Sequence, residues 1–159
     1  MTHTVIVPGV GGSEQHHWQS WLQRQLMSCS RVQQADWNQP VLEDWIAQFV
    51  KTAAPIQDDL QIVAHSFGCL ALAHHLHKCP DSPVREALFV APADPERRAL
   101  FEDFSPVPSN PLPFASIVAA GSNDPYCPIR MASAYAKSWG STFVRVPEGG
   151  HINIESGHG

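Results

Sequence analysis

The chain has 159 residues, 43% apolar and 16% charged, which is enough for one domain with a full hydrophobic core and too apolar for a disordered chain. Its net charge is −5 and no basic cluster exceeds Arg97-Arg98, which argues against nucleic-acid binding through phosphate neutralisation. No apolar run approaches the ~18 residues that span a bilayer.

Met1-Thr2-His3-Thr4-Val5-Ile6-Val7 runs straight into a strand pattern without a basic n-region or cleavage site, which predicts a cytoplasmic protein. From there strand-like and helix-like runs alternate. Strands are predicted near Thr4–Val7, Arg31–Ala35, Leu60–Ala64, Ala87–Ala91, Ala115–Ala120 and Thr142–Val146. Most are short and rich in Val, Ile, Leu, Ala or Phe, as expected for parallel strands covered on both faces. The second is more polar, which suits an edge.

Between them, apolar residues recur at helical spacing. Trp18, Trp21, Leu22 and Leu26 form one stripe, and Leu42, Trp45, Ile46 and Phe49 a second. Cys69, Leu72, Ala73 and Leu76 form a third, and Ile129, Ala132, Ala136 and Trp139 a fourth. All four read as core-facing. The alternation predicts a doubly wound α/β fold with a mostly parallel six-stranded sheet and helices on both faces.

One connection breaks the rhythm. Between Pro92 and Pro113, further prolines at Pro95, Pro106, Pro108 and Pro111 forbid a continuous helix, though a short one fits between Pro95 and Phe104. A connection of this length is expected to be either a groove wall or a rigid surface excursion.

The four cysteines (Cys29, Cys69, Cys79 and Cys127) show no Cys-x-x-Cys pairing and read as free thiols. In His74-His75-x-His77, only His74 and His77 share a helical face. A solvated helix surface is the expected reading there, and no metal site is predicted.

The segment "LQIVAHSFGCLALAHHL" places Ser66 between a strand-like and a helix-like run, with Ala64 and Gly68 two residues away on either side. A nucleophile held at a strained positive-φ turn needs this context, because the flanking positions crowd together. The following helix also aims its N-terminal dipole at the serine. A base and an orienting acid should follow in the order Ser, acid, His, on loops at the carboxyl edge of the sheet. Asp124 lies just past the fifth predicted strand and His151 just past the sixth. Asp94, after the fourth strand, is a rival acid, and His158 a weaker rival base. Cys127 is a thiol alternative that lacks an elbow. His65 should point away from the serine.

Acyl transfer also needs hydrogen-bond donors for the oxyanion. The backbone N–H of Phe67 is one candidate. Val10, with Gly11 next, would supply the other from the glycine-rich loop "PGVGGSEQHHW", where glycines permit a tight turn.

Together "VIVPGVGGSEQHHWQSWL", "IVAHSFGCLAL", "GSNDPYCP" and "GGHINIESGHG" resemble the small single-domain serine hydrolases of the α/β-hydrolase superfamily. That group includes the retinoblastoma-binding hydrolase of animals and many bacterial relatives. The resemblance implies one α/β-hydrolase domain over residues 1–159, without a large lid, and hydrolysis of small esters or amides with no cofactor. It assigns nucleophile, acid and base to Ser66, Asp124 and His151. Relatives continue into a final helix, which this chain is expected to lack or truncate; that helix would pack near Trp18 and Trp21. The Leu-x-Cys-x-Glu motif associated with retinoblastoma-protein binding is absent from the sequence, so that partner is not carried over and the protein partner stays unknown.

The leading expectation is a serine hydrolase acting on a small-molecule ester or amide. The alternative is a low-turnover binding or regulatory protein on a hydrolase scaffold. Phe101, Phe104 and Leu112 hint at an apolar acyl site, and Arg97 or Arg98 at a substrate carboxylate.

Overall fold

A computed structural model describes residues 2–97 and 99–159. Its strands are β1 (Thr2–Val7), β2 (Cys29–Arg31), β3 (Asp59–His65), β4 (Val84–Val90), β5 (Ala115–Gly121) and β6 (Thr142–Val146). Four α-helices accompany them: α1 (Trp18–Gln25), α2 (Leu42–Ala53), α3 (Phe67–Lys78) and α4 (Ile129–Trp139). All the strands lie in one sheet of order β2-β1-β3-β4-β5-β6, and every pairing is parallel.

The order of strands dictates the layers. β1 to β2 steps one way across the sheet, and every later step runs the other way. Right-handed crossovers therefore place α1 on one face and α2, α3 and α4 on the other. On the α2–α4 side, Val5, Ile62, Phe89 and Val118 from the sheet meet Trp45, Phe49, Leu72 and Trp139 in one continuous buried core. The direction reverses between β1 and β3, so the loops that leave their carboxyl ends diverge and open a crevice there.

The second strand starts and ends earlier than its composition suggests, overlapping the predicted span only at Arg31. Its register explains this. Ile6 pairs with Arg31, and Val32 N–H still reaches the Ile6 carbonyl at 3.0 Å. Further pairing would fall against Pro8, which has no N–H to give.

The first helical stripe is also not core. Trp21 is 55% exposed, and Leu22 and Leu26 are half-buried; the residues that α1 buries are Gln19 and Ser20. Gln19 instead donates through its amide to the carbonyls of Val7 at 3.3 Å and Val63 at 3.1 Å, stitching the helix to two strand ends. Beside α1, Leu88, Ile117 and Val144 lie on the α1 side of the sheet; Ile117 and Val144 are exposed. No described helix is long and apolar enough to cross a membrane.

The proline-rich connection forms two 3₁₀ turns, Pro95–Arg97 and Ala99–Phe104, where a short helix was expected. It packs as core rather than as a groove wall. Phe101 stacks on Phe67 with ring centroids 3.5 Å apart, and Phe104 is fully buried against Trp45. His74 Nε2 donates to the Phe104 carbonyl (2.7 Å), and Trp139 Nε1 donates to that of Pro108 (2.7 Å). His74 is therefore a tether for this connection rather than a solvated surface group.

Candidate active site

The site assembles where three strand ends meet. Ser66 follows β3 directly, with φ 57° and ψ −126°, and the first turn of α3 begins at the next residue. This left-handed conformation is costly for a residue with a Cβ and persists only where its surroundings enforce it. Close packing does so here. A Cβ on Gly68 would lie 2.5 Å from the Pro8 carbonyl oxygen, and one on Gly9 would lie 2.8 Å from Ser66 Cβ. The loop after β1 is thus pressed onto the elbow with no room for side chains. Gly68→Ala should push that loop away, costing roughly 1–3 kcal/mol as overpacking does and lowering activity with it. Urea unfolding together with an ester assay checks this.

Asp124 lies past β5 in a turn that aims its carboxylate inward. Oδ1 accepts from the Tyr126 N–H at 2.8 Å, while Oδ2 lies 2.9 Å from His151 Nδ1. The carboxylate side chain is 1% exposed. His151 sits in the loop after β6, whose Glu148 and Gly150 N–H groups are held by Ser122 Oγ at 2.9 Å and Asn123 Oδ1 at 2.8 Å. Behind it, His65 Nε2 donates to the His151 carbonyl (2.8 Å), and Trp18 Nε1 donates to the carbonyl of Ile152 (2.8 Å).

His151 Nε2 lies 2.8 Å from Ser66 Oγ. An ionised Asp124 accepts only, so Nδ1 of the neutral ring carries the proton and Nε2 presents a lone pair to the serine hydroxyl. Ser66, His151 and Asp124 therefore form one hydrogen-bonded row. The rivals lie outside it. Asp94 accepts from the Glu96 N–H at 3.0 Å and pairs with Arg97 at 3.8 Å. His158 contacts Ser156 Oγ at 3.3 Å. Cys127 is buried, and burial followed by the nearby Asp124 and Asp94 carboxylates pushes its thiol up to about 12, leaving no thiolate to attack.

A cavity of about 240 Å³ opens over the row, lined among others by Val10, Gly11, Phe67, His17, Tyr126 and Asn153. The Phe67 N–H, in the first turn of α3, has no intrahelical acceptor. Val10 and Gly11 donate no backbone hydrogen bond among the described residues. Arg31 holds their loop from behind, its guanidinium donating to the carbonyls of Gly12 and Ser13.

The proline-rich connection contributes no described residue to the lining, so Phe101, Phe104 and Leu112 are core side chains and not an acyl site. Arg97 is engaged with Asp94 and the Pro125 carbonyl, and Arg98 lies outside the described residues. Among the charged side chains, Glu14 and Glu155 line the cavity. Sequence reasoning missed His17, Tyr126 and the 153–155 segment as wall residues, since isolated loop positions carry no periodic signal. No group of three described His, Cys, Asp or Glu side chains could hold a metal ion.

Burial holds His65 at about 3 and His17 at about 4, with neighbouring charges (His151 for both, Arg31 for His17) acting in the same direction. Unfolded, each titrates near 6.5. Between these values the unfolded chain binds more protons than the folded one, so stability is intact above about pH 6.5 and falls as pH drops towards 4. The urea midpoint should be lower at pH 5 than at pH 7, and His65→Gln should flatten that dependence. An unchanged slope in the variant would contradict it.

A family model described as serine hydrolase matches residues 4–159. YdeN of Bacillus subtilis (strain 168) is 33% identical over 76 residues, 45% of this chain but only 40% of that protein's length. Its solved structure superposes with a TM-score of 0.83 at 19% identity, covering 99% of this chain and 91% of the other. A YdeN-like protein from Pectobacterium atrosepticum SCRI1043 superposes with a TM-score of 0.92 at 32% identity, covering 100% of this chain and 84% of that one. An α/β-hydrolase-fold protein from Burkholderia ambifaria, at 14% identity and a TM-score of 0.71, shares the fold over 95% of this chain and 84% of its own.

Proposed function

This chain belongs to the serine hydrolase family, and from that premise we propose that it cleaves small carboxylic esters or amides through an acyl-enzyme on Ser66. The observation that carries the reading is the row Ser66 Oγ–His151 Nε2–Asp124 Oδ2, with contacts of 2.8 and 2.9 Å. In this mechanism Ser66 Oγ attacks the substrate carbonyl carbon while its proton passes to His151 Nε2. Asp124 holds the imidazole in the required tautomer and stabilises the imidazolium. The N–H groups of Phe67 and of Val10, with Gly11 beside it, receive the developing oxyanion. His151 returns the proton to the leaving oxygen or nitrogen. It then activates a water that cleaves the acyl-enzyme and regenerates the serine.

The cavity is smaller than the ~300–1,000 Å³ common for drug-sized ligands, which favours short acyl chains. Residence in the cytoplasm belongs to the same reading, and the unpaired, buried Cys69 and Cys127 thiols suit a reducing compartment. A binding role on a hydrolase scaffold would draw on the exposed Ile117 and Val144 of the open sheet face. That face needs none of the three residues in the row, and the row itself favours turnover.

The test is a rapid-mixing assay with p-nitrophenyl acetate. A burst of p-nitrophenol equal to the enzyme concentration, followed by a slower steady rate, is expected of acyl-enzyme accumulation. Absence of any release above buffer from short p-nitrophenyl esters would overturn the reading.

A further inference from the structure

His17 belongs to the cavity but not to the row, and its ring is fixed in an unusual way. It is the N-cap of α1, and its Nδ1 accepts the backbone N–H of Gln19 at 3.1 Å. A nitrogen that accepts carries no proton, so the neutral ring bears its hydrogen on Nε2. The pKa of about 4, lowered first by burial and then by Arg31 and His151, keeps the ring neutral at physiological pH. The ring packs with that of His65 in a T-shaped contact, centroids 4.8 Å apart, which restrains its plane.

Among the described residues the Nε2–H has no bonding partner, and none of their buried side-chain nitrogens or oxygens is left without one. Nε2 is therefore reached by solvent. His17 is only 5% exposed, and the space it lines is the cavity over Ser66. An oriented, uncharged donor with no internal partner thus faces the place where substrate would sit.

We infer that His17 is a specificity-determining residue whose Nε2–H donates a hydrogen bond to an acceptor oxygen on the substrate, near but separate from the scissile carbonyl. The inference rests on the hydrolytic reading above and narrows its substrate class. The preferred substrates are short esters or amides carrying an additional neutral acceptor, such as an ether or hydroxyl oxygen, in the acyl or leaving group. Negatively charged substrates are disfavoured, because Glu14 and Glu155 line the same cavity. An acceptor-lacking analogue would leave Nε2–H desolvated and unpaired, which is how such a site discriminates.

The test uses pairs in which an ether oxygen replaces one methylene. p-Nitrophenyl methoxyacetate is compared with p-nitrophenyl butanoate for the acyl side, and 2-methoxyethyl butanoate with butyl butanoate for the leaving-group side. The variant is His17→Ser, because serine keeps an N-cap acceptor for the Gln19 N–H while removing the ring donor. Intrinsic reactivity cancels when each pair is compared between the two proteins. The expected result is that the ether-over-alkyl ratio of kcat/KM falls about 10-fold in the variant for at least one pair, the size of a single neutral hydrogen bond. An equal loss across all four esters, or no loss, would overturn the inference and leave His17 as a helix cap or general support.

Binding of methoxyacetamide against butanamide, followed by NMR shifts in wild type and His17→Ser, supplies a readout that needs no turnover. Loss of the ether preference in the variant supports the inference even if the esters are not cleaved. Identical preferences in the two proteins count against it.

Discussion

Ser66→Ala is expected to lower ester hydrolysis by roughly 10⁶-fold in kcat, the scale seen when the nucleophile of a serine triad is removed. Only the residual contribution of the oxyanion donors and the cavity would remain. The loss should be one of chemistry and not of folding. Ser66 occupies the N-cap of α3 but makes no side-chain capping bond, so its hydroxyl is not spent on helix stability. Alanine inherits the same strained φ of 57° that serine already bears. Removing Oγ takes away one hydrogen bond, to His151, which keeps its bond to Asp124. Circular dichroism and the urea midpoint should therefore stay close to wild type while turnover disappears. Retention of more than a few per cent of the rate would place the nucleophile elsewhere.

Asp124→Asn carries the second-largest expected effect, up to roughly 10⁴-fold in kcat. The Asx turn survives, because an amide oxygen can still accept the Tyr126 N–H that Oδ1 now accepts at 2.8 Å. The other side-chain atom then becomes an NH₂ facing His151 Nδ1. Two donors cannot share that contact, so the imidazole moves its proton to Nε2 and can no longer take the serine's proton. Asp94→Asn is the control. Its carboxylate serves the Glu96 N–H and Arg97 and has no contact with the row, so the rate should hold within a few-fold. A large loss from Asp94→Asn with a harmless Asp124→Asn would transfer the acid role.

The parts of the fold that could be read from the residues were those whose physics is local. β3, β4 and β5 each carry a short apolar run (residues 62–64, 87–90 and 117–120) too brief for a helix, and such runs read as strands even though Ile117 is left exposed. The elbow was legible for a similar reason: strand, small flanking residue, serine, glycine and helix lie within a dozen positions. Asp124 and His151 could be singled out because parallel strands deliver their following loops to the same edge.

What escaped depends on partners far away in sequence. β2 stops at Arg31 because Pro8, the residue just after β1, has no N–H to give, and nothing in its own residues says so. Trp21 keeps a helical spacing yet is exposed, since the stripe it belongs to is only half-covered by the sheet. Phe101 and Phe104 looked like pocket walls because a connection rich in proline usually lies outside. Here the stacking of Phe101 on Phe67, from α3, draws the connection into the core. His17 escaped notice because its position is set by a helix cap and a neighbouring ring rather than by any repeat.

The most direct measurement is covalent labelling with a fluorophosphonate probe, followed by mass mapping of the modified peptide in wild type and in Ser66→Ala. The hydrogen-bonded row predicts a single adduct on Ser66, formed at neutral pH and abolished by the substitution. Folded wild-type protein that takes no label, or a label that persists in Ser66→Ala, would contradict the assignment of Ser66 as an activated nucleophile.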